Sequence, residues 1–184
     1  LEVAWEALED AGLSAERLRG GRTGLFVGLN TVDYGQLVAG DPEQVDLYYG
    51  TGNTFAGSAG RMSYFLGVRG PSMAVDTACS SSLTAVHLGC QSLRSGESDV
   101  AVVGGSNTLL TPTVYLSMSA GGALAPDGRC KTFDAAADGY GRGEGAGAVI
   151  LKTLSRARAD GDRIHAVIRG SAVNHNGASG GLTV

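Results

Sequence analysis

Residues 73–105 read as strand, cysteine, helix, strand, and this order constrains the fold more than any other part of the sequence. The run 73–78 is a short strand that leads straight into Cys79. After it, Leu83, Val86, Cys90 and Leu93 recur at spacings of three, four and three, which places them on one face of a helix over 80–95. Gly96 ends that helix. Residues 99–105 form a wholly apolar run of the kind found in parallel sheets, where strands are buried on both faces.

The flanking sequence extends the alternation. Leu1, Ala4, Trp5, Leu8 and Ala11 stand at helical spacing, and Gly12 suits the left-handed position that closes a helix. A buried strand is expected over 23–28 and a helix of small residues over 55–66, followed by the turn signal Gly70-Pro71. Residues 33–54 are polar, punctuated by glycine, and carry no decisive pattern. A long loop is expected from Ser106 to about Glu144. Two last strands are expected over 146–151 and 163–173, separated by a basic helical turn around 155–159. Strands alternating with helices make this an α/β layered fold in one domain. A chain that opens inside a helix and closes on Gly-Leu-Thr-Val without a cap is expected to be a piece of a domain.

Composition narrows the function classes. Hydrophobic residues make up 43% and charged residues 17% of the 184, which suits a packed domain rather than a disordered one. A formal charge of −4 gives no basic footprint for nucleic acid or an anionic membrane. No apolar run approaches the roughly 20 residues of a membrane span. The three cysteines, Cys79, Cys90 and Cys130, form no CxxC pair, so neither a metal site nor a disulfide framework is indicated. The expected compartment is the reducing cytoplasm.

Cys79 is the candidate nucleophile. A strand that ends on a cysteine and turns at once into a helix pushes the sulfur out of the sheet at a helix N-terminus. Unpaired N–H groups there favour thiolate over thiol and can receive a substrate carbonyl oxygen. The small residues around it, VDTACSSSL, leave room for that carbonyl. Geometry alone leaves open whether Cys79 is such a nucleophile or an inert buried thiol. Cys90, on the apolar helical face, and Cys130, in a charged loop, read as structural.

The motif VDTACSSSL resembles the active-site motif of β-ketoacyl synthases, and its Cys-Ser-Ser-Ser form is similar to that of type I polyketide synthases. The resemblance extends over residues 60–107, over 122–162 (GALAPDGRCKTFDAAADGYGRGEGAGAVILKTLSRARADGD) and over the closing GSAVNHNGASGGLTV. It implies a thiolase-like layered α/β sandwich, of which residues 1–184 would supply most of the N-terminal half and the start of the C-terminal half. It also implies a homodimer in the full ketosynthase domain, with an acyl carrier protein, an acyltransferase and other synthase domains as partners. No bound cofactor or metal is implied, since substrates arrive on the phosphopantetheine of the carrier. Cys79 would take the acyl group as a thioester, and a malonyl-type extender would lose carbon dioxide and attack it.

In that family two histidines stabilise the enolate, and their motifs would lie beyond Val184. His87 stands eight residues after Cys79, about 12 Å along a helix axis, and reads as a packing or surface residue. His165 falls within the expected last strand, and only His175, in Asn-His-Asn-Gly, remains a candidate for a site. The piece alone is therefore expected to be inactive in condensation and to expose apolar surface. The charged residues Asp127, Arg129, Lys131, Asp134, Asp138, Arg142 and Glu144 are read as an ion-pair and hydrogen-bond network that pins a long loop, rather than a catalytic acid cluster. The alternating glycines from Gly139 to Gly147 lead into an apolar strand and do not form a nucleotide-binding loop. A fatty-acid condensing enzyme remains an alternative, as does a non-catalytic chain-length or partner subunit of the same fold, although the latter typically lacks the cysteine. A cysteine hydrolase would need a basic partner that the sequence does not offer.

Overall fold

The central strands are buried on both faces, and this accounts for their unbroken apolar sequences. The computed structural model describes residues 1–178 and 180. Its elements, in order, are α1 (Glu2–Asp10), α2 (Ala15–Leu18), β1 (Thr23–Gly28), α3 (Asp33–Ala39), a 3₁₀ turn (Pro42–Gln44), α4 (Leu47–Asn53) and α5 (Phe55–Leu66). After these come β2 (Ser72–Val75), α6 (Ser81–Ser95), β3 (Val100–Asn107), α7 (Thr113–Ala120), β4 (Gly145–Leu151) and α8 (Leu154–Asp160). The strands form one sheet in the order β2-β1-β3-β4, in which β1 runs parallel to both β2 and β3 while β4 runs antiparallel to β3.

Side chains that alternate along each strand supply two cores. Leu25 and Val27 of β1, with Val100 and Val102 of β3, pack against Ala4 and Leu8 of α1 and Ala59, Met62 and Leu66 of α5. On the other face, Phe26, Ala101 and Val103 pack against Ala85 and Leu93 of α6. Leu25, Phe26, Val102 and Val103 are almost wholly buried, and each such side chain contributes roughly 1.5–3 kcal/mol of transfer free energy. The result is three layers: α1 and α5, the sheet, and α6.

Helix ends follow the local sequence. Ser14 and Thr54 accept hydrogen bonds from the Arg17 and Gly57 amides at the starts of α2 and α5. Gly67 and Gly96 adopt left-handed conformations at the ends of α5 and α6.

Four expectations change. Residues 33–54, which carried no pattern, form α3, α4 and the turn between them. The loop 106–144 contains α7, whose apolar residues do not gather on one side and so leave no periodic signal. Residues 163–173 do not form a strand: the sheet ends at β2 and β4, and these residues pair with neither. Instead His165 Nε2 lies 2.7 Å from Asp10 Oδ2 at the end of α1. Finally, of the expected apolar face of α6, Cys90 and Leu93 are buried and Val86 packs against the core, but Leu83 is 75% exposed, and the small residues Ser81, Ala85, Gly89 and Ser92 fill the rest of the buried face.

Candidate active site

The strand β2 ends at Val75, and Asp76, Thr77 and Ala78 make a turn that carries Cys79 to the start of α6. Ala78 sits at φ 55°, in the left-handed region that costs an alanine about 1 kcal/mol or more. Hydrogen bonds hold it there. Asp76 Oδ1 accepts the Ala78 N–H at 2.9 Å, and Ser81 Oγ accepts the Thr77 N–H at 3.0 Å while donating to the Ala78 carbonyl at 2.6 Å. The Ser80 hydroxyl reaches the Thr77 carbonyl at 2.8 Å, and Thr77 Oγ1 lies 3.0 Å from Thr84 Oγ1. The hydroxyl-rich sequence on either side of Cys79 is therefore the scaffold of the turn.

Close packing sets the position of this turn over the sheet. A Cβ on Gly28 would lie 2.5 Å from the Ser82 amide nitrogen, and one on Gly105 would lie 2.8 Å from Ser82 Cβ. A Cβ on Gly89 would meet Val103 Cγ2 at 2.7 Å. Only glycine lets the first turn of α6 descend between the ends of β1 and β3. Larger apolar residues such as Leu83 are excluded from that face for the same reason.

Cys79 is solvent-exposed and lines an open cleft of about 590 Å³ outside the carboxyl ends of the parallel strands β1 and β3. That end of an open α/β sheet is the usual place for a ligand. Gly28, Leu29, Ser82, Gly105 and Arg142 share the lining. Among the described residues the Cys79 amide has no hydrogen-bond acceptor, so it is available to a substrate oxygen. Cys90 is buried in α6, and Cys130 accepts the Gly141 N–H through its sulfur at 3.2 Å, well along the loop.

None of the three histidines joins Cys79 in the cleft. His87 Nδ1 lies 2.9 Å from Ser171 Oγ, His165 pairs with Asp10, and His175 Nδ1 accepts the Gly177 N–H at 2.9 Å. His175, kept as a candidate from its sequence context, thus caps its own local turn.

Within the charged loop, Asp127, Lys131, Asp138 and Glu144 make the pinning contacts, whereas Arg129 and Arg142 pair with no carboxylate among the described residues. Lys131 Nζ lies 2.8 Å from Asp127 Oδ1 and 2.6 Å from Asp138 Oδ1. The hydrogen bond from Lys131 holds the Asp127 carboxyl below its ordinary range, with the Arg129 amide adding to the effect. Glu144 accepts the Leu109 N–H at 2.6 Å. A second anchor had no signal in the sequence: buried Asp33 accepts the amides of Leu110 and Thr111 at 3.1 and 3.2 Å through one oxygen.

Known proteins resemble this chain along its whole length. The profile described as "Beta-ketoacyl synthase, N-terminal domain" matches residues 1–157. The chain belongs to the β-ketoacyl synthase family. It is 58% identical over 186 aligned residues to a component of the phenolphthiocerol/phthiocerol polyketide synthase of Mycobacterium tuberculosis, covering 100% of this chain and 8% of that protein. It is 52% identical over 183 residues to a highly reducing polyketide synthase of Cryptosporiopsis sp., again covering 100% of this chain and 8% of the relative.

Among solved structures, the ketosynthase from module 6 of the bacillaene synthase of Bacillus subtilis superposes with a TM-score of 0.90 at 43% identity, over 98% of this chain and 31% of that one. The oxazolomycin ketosynthase domain of Streptomyces albus gives a TM-score of 0.90 at 48% identity, over 100% of this chain and 32% of that one. The fold is therefore the thiolase-like α/β fold of the polyketide ketosynthases. The 184 residues span about a third of those solved ketosynthases. The last part of the closing resemblance, residues 181–184, lies outside the described residues, as does Ser179. No helix among the described residues is long and apolar enough to cross a membrane.

Proposed function

We propose that residues 1–184 are the nucleophile-bearing part of a ketosynthase domain in a type I polyketide synthase, acting as an acyltransferase that forms carbon–carbon bonds. The observation that carries the reading is the place of Cys79, exposed at the mouth of a cleft on a turn built to present it. The Cys79 sulfur attacks the thioester carbonyl of an acyl group carried on phosphopantetheine. A sulfur–carbon bond forms at Cys79, the arm's carbon–sulfur bond breaks, and the arm leaves as a thiol with the proton. A malonyl-type extender then loses carbon dioxide, and the electron pair of the broken bond becomes an enolate. Its carbon attacks the Cys79 thioester, a carbon–carbon bond forms, and the sulfur leaves, which gives a β-ketoacyl product.

Sulfur suits both halves of this cycle, since it attacks readily and departs readily. The open Cys79 amide can donate to the carbonyl oxygen as charge develops there. Enolate stabilisation falls to groups outside this chain, because His87, His165 and His175 are engaged elsewhere. On this reading the 184 residues are an incomplete domain. Leu83, Val149, Val167 and Val173, all exposed here, belong to apolar surface that the rest of the domain covers. Homodimerisation, a carrier protein and neighbouring synthase domains belong to the same proposal, and the cytoplasm is its setting.

The test is condensation by the full ketosynthase domain, given an acyl carrier protein and a malonyl carrier protein. β-Ketoacyl product should form with the wild type and be lost with Cys79→Ala, and the isolated 184-residue chain should yield none. Undiminished product from Cys79→Ala would refute the assignment.

A further inference from the structure

Three peptide units make the turn that leads into Cys79, and each is held by a different set of partners. The Asp76–Thr77 unit gives its N–H to Ser81 Oγ at 3.0 Å. The Thr77–Ala78 unit gives its N–H to Asp76 Oδ1 at 2.9 Å, and its carbonyl accepts the Ser80 hydroxyl at 2.8 Å. The Ala78–Cys79 unit differs from both. Its carbonyl accepts the Ser81 hydroxyl at 2.6 Å and the Ser81 amide at 3.1 Å, while its N–H, the Cys79 amide, has no acceptor among the described residues. Among those residues Ser81 is thus the only one whose side chain hydrogen-bonds to this unit. Ser81 is 5% exposed, and its hydroxyl directs its one hydrogen to Ala78 and a lone pair to Thr77. Every contact in the arrangement lies within residues 76–81.

A peptide unit is planar and trans, so its C=O and N–H point in opposite directions and turn together. Whatever holds the Ala78 carbonyl therefore holds the direction of the Cys79 N–H. Without such a restraint Ala78, at φ 55°, would relax out of the left-handed region and rotate that plane. We infer that Ser81 is a positioning residue: by clamping the Ala78 carbonyl it aims the Cys79 N–H at the oxygen of the thioester that the Cys79 sulfur attacks. The inference rests on the ketosynthase reading above and names the side chain that sets the oxyanion donor in that reaction. Donation to the Ala78 carbonyl also polarises the peptide and strengthens its N–H as a donor.

The experiment compares two reactions of Cys79 in the full ketosynthase domain, wild type and Ser81→Ala, each followed by mass spectrometry of the peptide that contains Cys79. Acylation by acetyl-pantetheine passes through a tetrahedral intermediate whose oxygen carries charge. Alkylation by iodoacetamide displaces iodide in one step and develops no oxyanion at the attacked carbon. Both reactions draw on the same thiolate, so a change in its fraction alters both rates alike and leaves their ratio unchanged. Ser81→Ala should lower the maximal acylation rate by at least about tenfold and change alkylation by less than about twofold. The half-saturating concentration of acetyl-pantetheine should move little, because the donor acts on charge that develops after binding. Ser81→Thr, which keeps the hydroxyl, should recover most of the acylation rate. A parallel fall of both rates assigns Ser81 to support of the turn alone and overturns the inference, as does an unchanged acylation rate. If Ser81→Ala does not fold, Ser81→Thr and Ser81→Val, alike in shape and different in the hydroxyl, make the same comparison. Slower acylation of Ser81→Val at equal alkylation is then expected, and equal acylation of the two overturns the inference. A wild type that is alkylated but not acylated overturns the ketosynthase reading itself, so the two failures are distinguishable.

Discussion

Gly28, the last residue of β1, lies directly beneath Ser82 in the first turn of α6, with room for a hydrogen but not for a methyl group. A Cβ there would stand 2.5 Å from the Ser82 nitrogen, and the obstacle is backbone, which cannot swing aside. Gly28→Ala must therefore lift the helix start and the Cys79 turn with it. We expect a loss of about 1–3 kcal/mol in unfolding free energy, together with slower acylation of Cys79. Gly60→Ala is the control. Its Cβ meets nothing within 4 Å on α5, and it should raise helix stability by about 0.5–1 kcal/mol. Denaturant unfolding and thioester labelling of the full domain check both.

Asp33 should matter out of proportion to its sequence signal. It is 3% exposed and ties α3 to the segment that leads into α7 through the Leu110 and Thr111 amides. Asp33→Ala removes the acceptor and leaves two part-buried donors without partners. The expected cost is about 3 kcal/mol, with a smaller loss for Asp33→Asn, which keeps an acceptor oxygen. Unfolding curves measure the cost. Limited proteolysis should show earlier cleavage near residues 108–113 in Asp33→Ala than in the wild type.

The contrast between Gly28 and Asp33 shows what the sequence made legible. Strands β1 and β3 were plain because burial on both faces leaves an unbroken apolar run, and the Cys79 turn was plain because small residues surround it. The buried face of α6 was legible at Cys90 and Leu93 but not at Leu83, because close approach to Gly28, Gly105 and Val103 selects small residues where the helix descends onto the sheet. α3 and α7 were missed because their role is to exchange hydrogen bonds through Asp33 and Gln36 rather than to bury an apolar stripe. Residues 163–173 have strand-like sequence, but a strand exists only beside a partner, and these residues pair with neither edge strand, β2 or β4.

Acid should weaken the ends of the structure through Asp160 before it weakens the core. The hydrogen bond from Lys152 holds the Asp160 carboxyl below the usual carboxylate range, with Arg156 assisting, and Lys152 also pairs with Asp162. A depressed folded value contributes stability that is present above the unfolded value near 4 and is lost as pH falls through the folded value. Wild type should therefore lose stability below about pH 4. Lys152→Met should flatten that acid limb and destabilise at neutral pH, because Asp162 then loses its cation and Asp160 keeps only Arg156. The effect should exceed that of Lys131→Met, since the Lys152 side chain is 8% exposed and that of Lys131 is 23%. Denaturant midpoints between about pH 6 and pH 3 test the sign, and a steeper acid limb in Lys152→Met would contradict it.

The central claim is that Cys79, of three cysteines, is the acyl acceptor. Incubating the full ketosynthase domain with an acyl carrier protein thioester, then mapping peptides by mass spectrometry, tests it directly. The account predicts an acyl adduct on the peptide that contains Cys79, none on those containing Cys90 or Cys130, and none anywhere in Cys79→Ala. An adduct of equal yield in Cys79→Ala would contradict it.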